Sequence, residues 1–379
     1  MSMKVKIFSF FFLFLLLIAF FLVSFSEKNI FIFNKSEIYS SYNNEKEKNL
    51  KPKIYEDRVW EINLSKNKIY FFENGKLKEI IHIAYQAPEG KWYQTPTGYF
   101  RVGTKKEKHI SSLFPVYMKY SVQMYEDFFI HEIPYYLNGE RVSSDFTGGC
   151  IRLWPKFAKK FFELAKKGDL IISYKDLDDF EVKENFIFPV NKDEFYIRQS
   201  FNNPLRTSWF RWRDRSIDYI QHAGIDLAPN PDAQDLNVYN IYDGRVVKII
   251  KNGEDDYGMG NTVIVEIDSD FKKVYALYAH LKEINSSLKE GDFIKKGEII
   301  GKVGATGYGC NYWRIGEDGC DKKSKLDIHL HFEIKEKPVL ESPRLTKCFL
   351  NGKFSNCYGY VPHNPTNYGY LDPLKFLEK

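Results

Sequence analysis

Between Arg58 and Tyr85 the sequence "RVWEINLSKNKIYFFENGKLKEIIHIAY" alternates apolar and polar residues on either side of Asn74-Gly75. A period of two puts one face of an extended chain into a core, and Asn-Gly is the strongest short-range signal for a two-residue type I′ turn. That hairpin sets the fold class as mainly β. Strand-like runs continue at "TGYFRVGT" and "DFFIHEI", and "LIISY" closes this region near Tyr174. One helix interrupts them: in "PKFAKKFFELAKKGD" the residues Phe157, Phe161 and Leu164 recur at helical spacing, and Gly168 offers a stop. After the charged connector "KDLDDFEVKEN" come short runs split by turn signals, "NVYNIYDGRVVKII", "GNTVIVEID", "KKVYALYAHL" and "GDFIKKGEIIGKVG". They imply a second β core, sandwich-like. A chain of 379 residues is expected to hold two domains. The composition shifts place them at 58–175 and 186–379, with 176–185 as connector.

The N-terminus constrains location. Lys4 and Lys6 precede Ile7–Phe25, a run without charge. At a rise of about 1.5 Å per residue it can span a bilayer as a helix. A basic flank before an apolar core is equally the pattern of a secretory signal. Residues 1–26 are therefore a signal peptide or a membrane anchor, and the polar 27–57 a linker. Either way the basic end stays inside and the bulk of the chain is exported to the cell envelope, periplasmic or on the outer face. It is either secreted or held on the cytoplasmic membrane. The net charge of +5 comes from lysines spread along the chain, with no basic block of the kind that binds nucleic acid.

Export bears on the five cysteines. Cys310 and Cys320, and Cys348 and Cys357, are near pairs suited to local disulfides in an oxidising compartment, with crossed pairing or free thiols as alternatives. Cys150 is left over, in "SSDFTGGCIRLWP". A thiol becomes a nucleophile when a neighbour takes its proton, and His131 in "FFIHEI" is the candidate base. The glycines before Cys150 allow a sharp turn whose N–H groups could hold an oxyanion, and Arg152 places a fixed charge suited to a carboxylate. On spacing alone a buried cysteine and an unrelated strand histidine explain the pair as well.

The region from about Arg58 to Tyr174 resembles the YkuD-type L,D-transpeptidases, in its hairpin opening, in "TPTGYF" and in "TGGCIRL". The resemblance implies that Cys150 is the nucleophile, His131 its base oriented by the Glu132 carbonyl, and Gly149 part of the oxyanion turn. It further implies acyl transfer on peptidoglycan stem peptides, with an amine or water as acceptor. Gly148 departs from the pattern, standing where many members carry a second histidine.

Half of the eight histidines fall in three motifs of the second region: His222 with Asp226 in "HAGID", His280 in "YALYAHL", and His329 with His331 in "DIHLHFEI". Residues two apart on a strand share a face, so His329 and His331 can enter one site. Imidazole and carboxylate suit Zn²⁺, three protein ligands leave a position open, and a spare histidine can act as base. From about Phe186 onward the chain resembles the LytM/lysostaphin-type zinc endopeptidases, with "YDGRVVKI", "GNTVIVEI", "YAHL", "KKGEIIGKVGATG" and "HLHFEI" in family order. The resemblance implies one Zn²⁺ held by His222, Asp226 and His331, His329 as base and His280 as its partner. The stretch "YGCNYWRIGEDGCDKKSKLDI" is an insertion relative to the family, either a loop narrowing the substrate range or surface decoration. The expectation is an enzyme that cuts peptidoglycan cross-links at one site and makes or trims stem peptides at the other. The alternatives are an L,D-carboxypeptidase joined to an endopeptidase, and a wall-binding scaffold.

Overall fold

Asn74 and Gly75 both take positive φ, 50° and 71°, and join Lys68–Glu73 to Lys76–Tyr85 as the type I′ signal requires. The computed structural model describes residues 50–90, 94–112, 114–206, 219–254, 258–269, 272–307, 327–337, 346–350 and 353–378. The expected signal or anchor and the pair Cys310 and Cys320 lie outside them, as do the side chains of Cys348 and Cys357. Among the described residues no helix is long and apolar enough to cross a membrane, and Cys150 is a free thiol. The described residues are mainly β, 47% strand and 9% helical.

The first sheet has ten strands and mixed direction. Its order is Gly98–Arg101, Leu170–Tyr174, Arg58–Asn63, Lys68–Glu73, Lys76–Tyr85, Ile151–Leu153, Phe128–Glu132, Val116–Tyr125 and Lys105–Ile110, with Tyr135–Tyr136 paired to Val116–Tyr125. Leu170–Tyr174 runs parallel to Arg58–Asn63, and Ile151–Leu153 parallel to Phe128–Glu132. Strand alternation gives this sheet two apolar faces. Trp60, Ile62, Phe71 and Ile81 form one face and receive Ala158 and Phe161 of the helix Pro155–Leu164. Trp60 stacks on Phe71 at 4.2 Å between ring centroids, meets Phe161 edge-on at 4.6 Å, and donates its indole N–H to Asp169 Oδ2. The helix starts at Pro155, whose fixed φ suits the first helical position, and has no side-chain cap. It ends where Ala165 turns extended, so Gly168 lies in the turn beyond rather than at the stop.

Val59, Tyr70, Phe72, Tyr99, Leu170 and Ile172 form the opposite face, and what covers them comes from the second region: Tyr196 and Ala228. Lys51–Lys379 accordingly form one compact unit. The connector stretch 176–185 packs on the second core. Leu177 is buried in the second core, and Lys183 N–H donates to the Leu377 carbonyl.

The second region is antiparallel. An eight-stranded sheet runs Phe195–Gln199, Ile225–Pro229, Leu330–Lys335, Lys272–Leu281, Asn261–Ser269, Gly244–Ile250 and Phe293–Ile294, with Tyr370–Leu371 paired to Leu330–Lys335. Ile225, Leu227, Val263, Val265, Tyr278 and Phe332 lie in its core. Two three-stranded sheets accompany it, because short strands such as Asn237–Tyr239 and Ile299–Lys302 pair with one another instead of extending it. One dominant sheet, not two equal ones, therefore carries the core expected to be sandwich-like.

Removing the ring that joins helix to sheet, Phe161→Ala, is expected to cost about 3–5 kcal/mol in denaturant unfolding. Lys159→Ala, which breaks only an exposed 3.8 Å pair with Glu163, is expected to change stability by less than about 0.5 kcal/mol.

Candidate active sites

Parallel pairing of Phe128–Glu132 with Ile151–Leu153 sets Ile130 beside Ile151 and His131 beside Arg152, which brings the turn holding Cys150 to the His131 strand. Gly149 enters that turn at φ 101°, a conformation closed to most side chains. Thr147 Oγ1–H donates to the Cys150 carbonyl at 2.6 Å and closes the turn. Cys150 is half-buried; its Sγ accepts from Phe129 N–H at 3.3 Å and lies 3.7 Å from the Asp127 carbonyl. The buried His131 donates Nδ1–H to the Glu132 carbonyl at 2.5 Å, which leaves Nε2 as its free nitrogen. The thiol is not hydrogen-bonded to that imidazole; its contacts are the two backbone groups. Arg152, also buried, donates Nη1–H to the Ser144 carbonyl at 2.7 Å. At Gly148 a Cβ would lie in van der Waals contact with the ring of the exposed Phe114, 3.4 Å away.

The electrostatics of this site are those of a neutral pair. Burial pushes the Cys150 thiol up to about 11 despite the Phe129 N–H, and pushes His131 down to about 4 despite its bond to Glu132. A neutral imidazole can still take a proton as the thiol attacks.

The second constellation is assembled by strand register. Asp226 pairs with His331, and His331 with Ala279, so three neighbouring strands bring Asp226, His331 and the residue next to His280 together. His222 arrives from a separate strand across the turn at Gly224, where a Cβ would stand 2.4 Å from the Phe332 carbonyl oxygen; only glycine allows that approach. His222 Nε2 is 3.0 Å from His331 Nδ1 and 3.2 Å from Asp226 Oδ1, and His331 Nδ1 is 2.9 Å from Asp226 Oδ1. All three residues are buried, and their ligand atoms lie within 4.8 Å of one another. Each histidine has its other nitrogen engaged: His222 Nδ1–H donates to the Ser200 carbonyl at 3.0 Å, and His331 Nε2–H to Glu333 Oε1 at 2.8 Å. Two fixed imidazoles and a carboxylate fit a divalent cation such as Zn²⁺. Burial works against charge on His331, but hydrogen bonds to Asp226 and Glu333 raise it to about 9. Burial likewise opposes the Asp226 charge, yet the surrounding histidines hold its carboxyl well below the usual range.

His280 and His329 border this cluster, their ring centroids 4.9 Å apart. Burial and the neighbouring histidines hold His280 well below its ordinary value, and burial with the Arg198 charge lowers His329 to about 3. His280 donates Nδ1–H to the Thr306 carbonyl at 3.0 Å, and it sits at φ 60°, a strained position for a non-glycine residue. His329 Nδ1 is 2.8 Å from the Asp327 carbonyl and 3.0 Å from Arg198 Nη1. The carbonyl only accepts and the guanidinium only donates, so the two contacts make opposite demands on Nδ1; Nε2 lies 3.6 Å from Asp226 Oδ2.

Three residues here escaped sequence reasoning. Glu333 had a legible signal, since it stands two residues beyond His331 and so on the same strand face. Arg198 and Ser200 lie in "IRQSF", which carries no pattern of its own.

A family model described as the L,D-transpeptidase catalytic domain matches residues 57–172, and the Peptidase family M23 model matches residues 220–343. Among solved structures, an L,D-transpeptidase from Stackebrandtia nassauensis is 18% identical, covering 32% of this chain and 58% of its own, with a TM-score of 0.28. The catalytic domain of the antimicrobial peptidase lysostaphin from Staphylococcus simulans is 26% identical, covering 41% of this chain and 78% of its own, with a TM-score of 0.24. A fused Zn-dependent amidase/peptidase/peptidoglycan-binding domain-containing protein from Clostridium acetobutylicum is 24% identical, covering 33% and 55%, with a TM-score of 0.26. The chain thus spans little more than half the length of the first and last of these. No curated protein matches the sequence.

A thiol held near 11 is protonated at neutral pH, so its thiolate fraction grows about tenfold per pH unit up to that value. Iodoacetamide labelling of Cys150, followed by peptide mass spectrometry, is expected to accelerate with pH across the neutral and alkaline range without a plateau. A plateau starting in the acid range would mean a thiolate–imidazolium pair instead.

Proposed function

We propose that a chain carrying an L,D-transpeptidase catalytic domain over 57–172 and a Peptidase family M23 domain over 220–343 is a bifunctional peptidoglycan-remodelling enzyme of the cell envelope. In this reading the two catalytic domains extend over 58–175 and 186–379. The observation that carries it is the convergence of His222, Asp226 and His331 within 4.8 Å, with the second nitrogen of both histidines fixed by an acceptor. A scaffold would have no use for such a ligand set.

At the first site, Cys150 attacks the carbonyl of the third residue of a stem peptide. The sulfur–carbon bond forms, and the bond to the terminal D-amino acid breaks. His131 accepts the thiol proton at Nε2, its Nδ1–H held on Glu132, and delivers it to the leaving amine. The N–H groups of the turn at Gly149 face the developing oxyanion, and the Arg152 charge holds a substrate carboxylate. An acceptor amine or water then attacks the thioester and restores the thiol.

At the second site His222, Asp226 and His331 would hold a zinc ion, which would supply Lewis-acid polarisation and water acidification. His329, held neutral by burial and the Arg198 charge, takes the proton of the attacking water and passes it to the leaving amine of a cross-link. His280, its Nδ1–H held on Thr306, steadies the oxyanion side.

Purified peptidoglycan digested with wild type, Cys150→Ala and His331→Ala tests the assignment. Cys150→Ala is expected to abolish new 3-3 cross-links and tripeptide stems while cross-link cleavage continues. His331→Ala is expected to abolish cleavage and bound zinc, measured by metal analysis, while the Cys150 products persist. Unchanged products from Cys150→Ala, or a wild-type protein that takes up no zinc, would contradict it.

A further inference from the structure

The metal-ligand His222 is oriented by a residue of the other domain. Thr97, in the "TPTGYF" segment just before the strand Gly98–Arg101, is fully buried and faces the loop 199–203. Its backbone is held at both ends by one side chain: Thr97 N–H donates to Asn203 Oδ1 at 2.8 Å, and Asn203 Nδ2–H donates to the Thr97 carbonyl at 3.0 Å. Its hydroxyl accepts from Ser200 N–H at 2.8 Å. The carbonyl of that same Ser200 accepts Nδ1–H of His222. The backbone of His222 is tied to the same loop, its N–H donating to the Asn203 carbonyl and its carbonyl accepting from Asn202 N–H. Gln94, also of the first domain, adds a bond from Nε2–H to the Phe201 carbonyl at 3.2 Å.

Each link has one donor sense. A carbonyl only accepts, so the Ser200 oxygen forces the His222 proton onto Nδ1 and leaves the Nε2 lone pair directed at His331 and Asp226. The Thr97 hydroxyl anchors Ser200 through its N–H, and Asn203, whose side chain is clamped on the Thr97 backbone, donates its own N–H to the Ser200 carbonyl at 3.3 Å. We propose that Thr97 is a positioning residue for the metal centre: the L,D-transpeptidase domain sets the tautomer and aim of His222 through Ser200. This rests on the reading of His222 as a zinc ligand. Under it, the peptidase site depends on a residue more than a hundred positions away in the other catalytic domain.

The test is zinc affinity of the full chain, measured by competition with a chromophoric chelator, for wild type, Thr97→Val and Thr97→Ser. Outer-sphere partners typically contribute 10–100-fold in metal affinity, so Thr97→Val, which keeps the shape and loses the hydroxyl, is expected to weaken zinc binding by about that factor. Thr97→Ser, which keeps the hydroxyl, is expected to bind as wild type does. The cobalt-substituted Thr97→Val protein should show a shifted visible spectrum, a sign of altered ligand geometry that mere loosening far from the metal would not produce. Thermal unfolding of the metal-free proteins serves as the folding control. Should Thr97→Val not fold, Asn203→Ala removes the same clamp from the opposite side and is expected to weaken zinc likewise. Wild-type affinity in the folded Thr97→Val or Asn203→Ala protein overturns the proposal, and so does a Thr97→Ser protein as weak as Thr97→Val. A wild type that binds no zinc at all overturns instead the zinc reading on which the proposal rests.

Discussion

The first sheet has two apolar faces and, among the described residues, one helix packed on it. Phe161 and Ala158 close one face. The other, with Val59, Phe72, Leu170 and Ile172, would meet water were it not for Tyr196 and Ala228 of the second region. Burial of that face is the constraint on which the remaining geometry depends, because apolar area removed from water is the main force available to hold two sheets together. Around it the polar contacts fall into place. Tyr99 and Tyr196 share a 2.6 Å hydrogen bond between their hydroxyls, and Lys175 and Ile197 exchange backbone bonds across the seam.

The seam lies beside chemistry. The strand Phe195–Gln199 that caps the first sheet pairs with Ile225–Pro229, the strand of Asp226. Arg198, on the same strand, sits over the ring of Tyr99 and reaches His329 and Asp226. On the far side, Tyr219 packs edge-on against Phe128 and donates to Asp127, whose carbonyl neighbours Cys150, while His222 three residues later belongs to the His222–Asp226–His331 cluster. Both candidate sites are therefore framed by the same few strands.

Much of this was legible in the sequence for definite reasons. Asn74-Gly75 specifies its turn locally, and a strand written with period two declares its faces. His329 and His331 declared a common face by that rule, and "HAGID" carried both other members of the cluster, His222 and Asp226, within five residues. The end of the helix was missed because Gly168 is a stop signal of the turn beyond it, not of the helix. The seam was missed for a different reason. Thr97, Tyr99, Arg198 and Ser200 become partners only when two sheets dock, and nothing in residues so far apart in sequence announces that. The stretch 176–185 reads as a connector because its charges are plain, while Leu177, buried in the second core, shows no pattern in sequence.

The central claim is that one body, sealed along Thr97 and the loop 199–203, presents a metal site made of His222, Asp226 and His331. A crystal structure of the zinc-loaded full chain, with anomalous data collected at the zinc edge, tests it most directly. The account predicts one strong anomalous peak bonded to His222 Nε2, Asp226 Oδ1 and His331 Nδ1, with the Thr97–Asn203 and Thr97–Ser200 bonds intact. A peak on other residues, or the two domains parted along that seam with the site still filled, would contradict it.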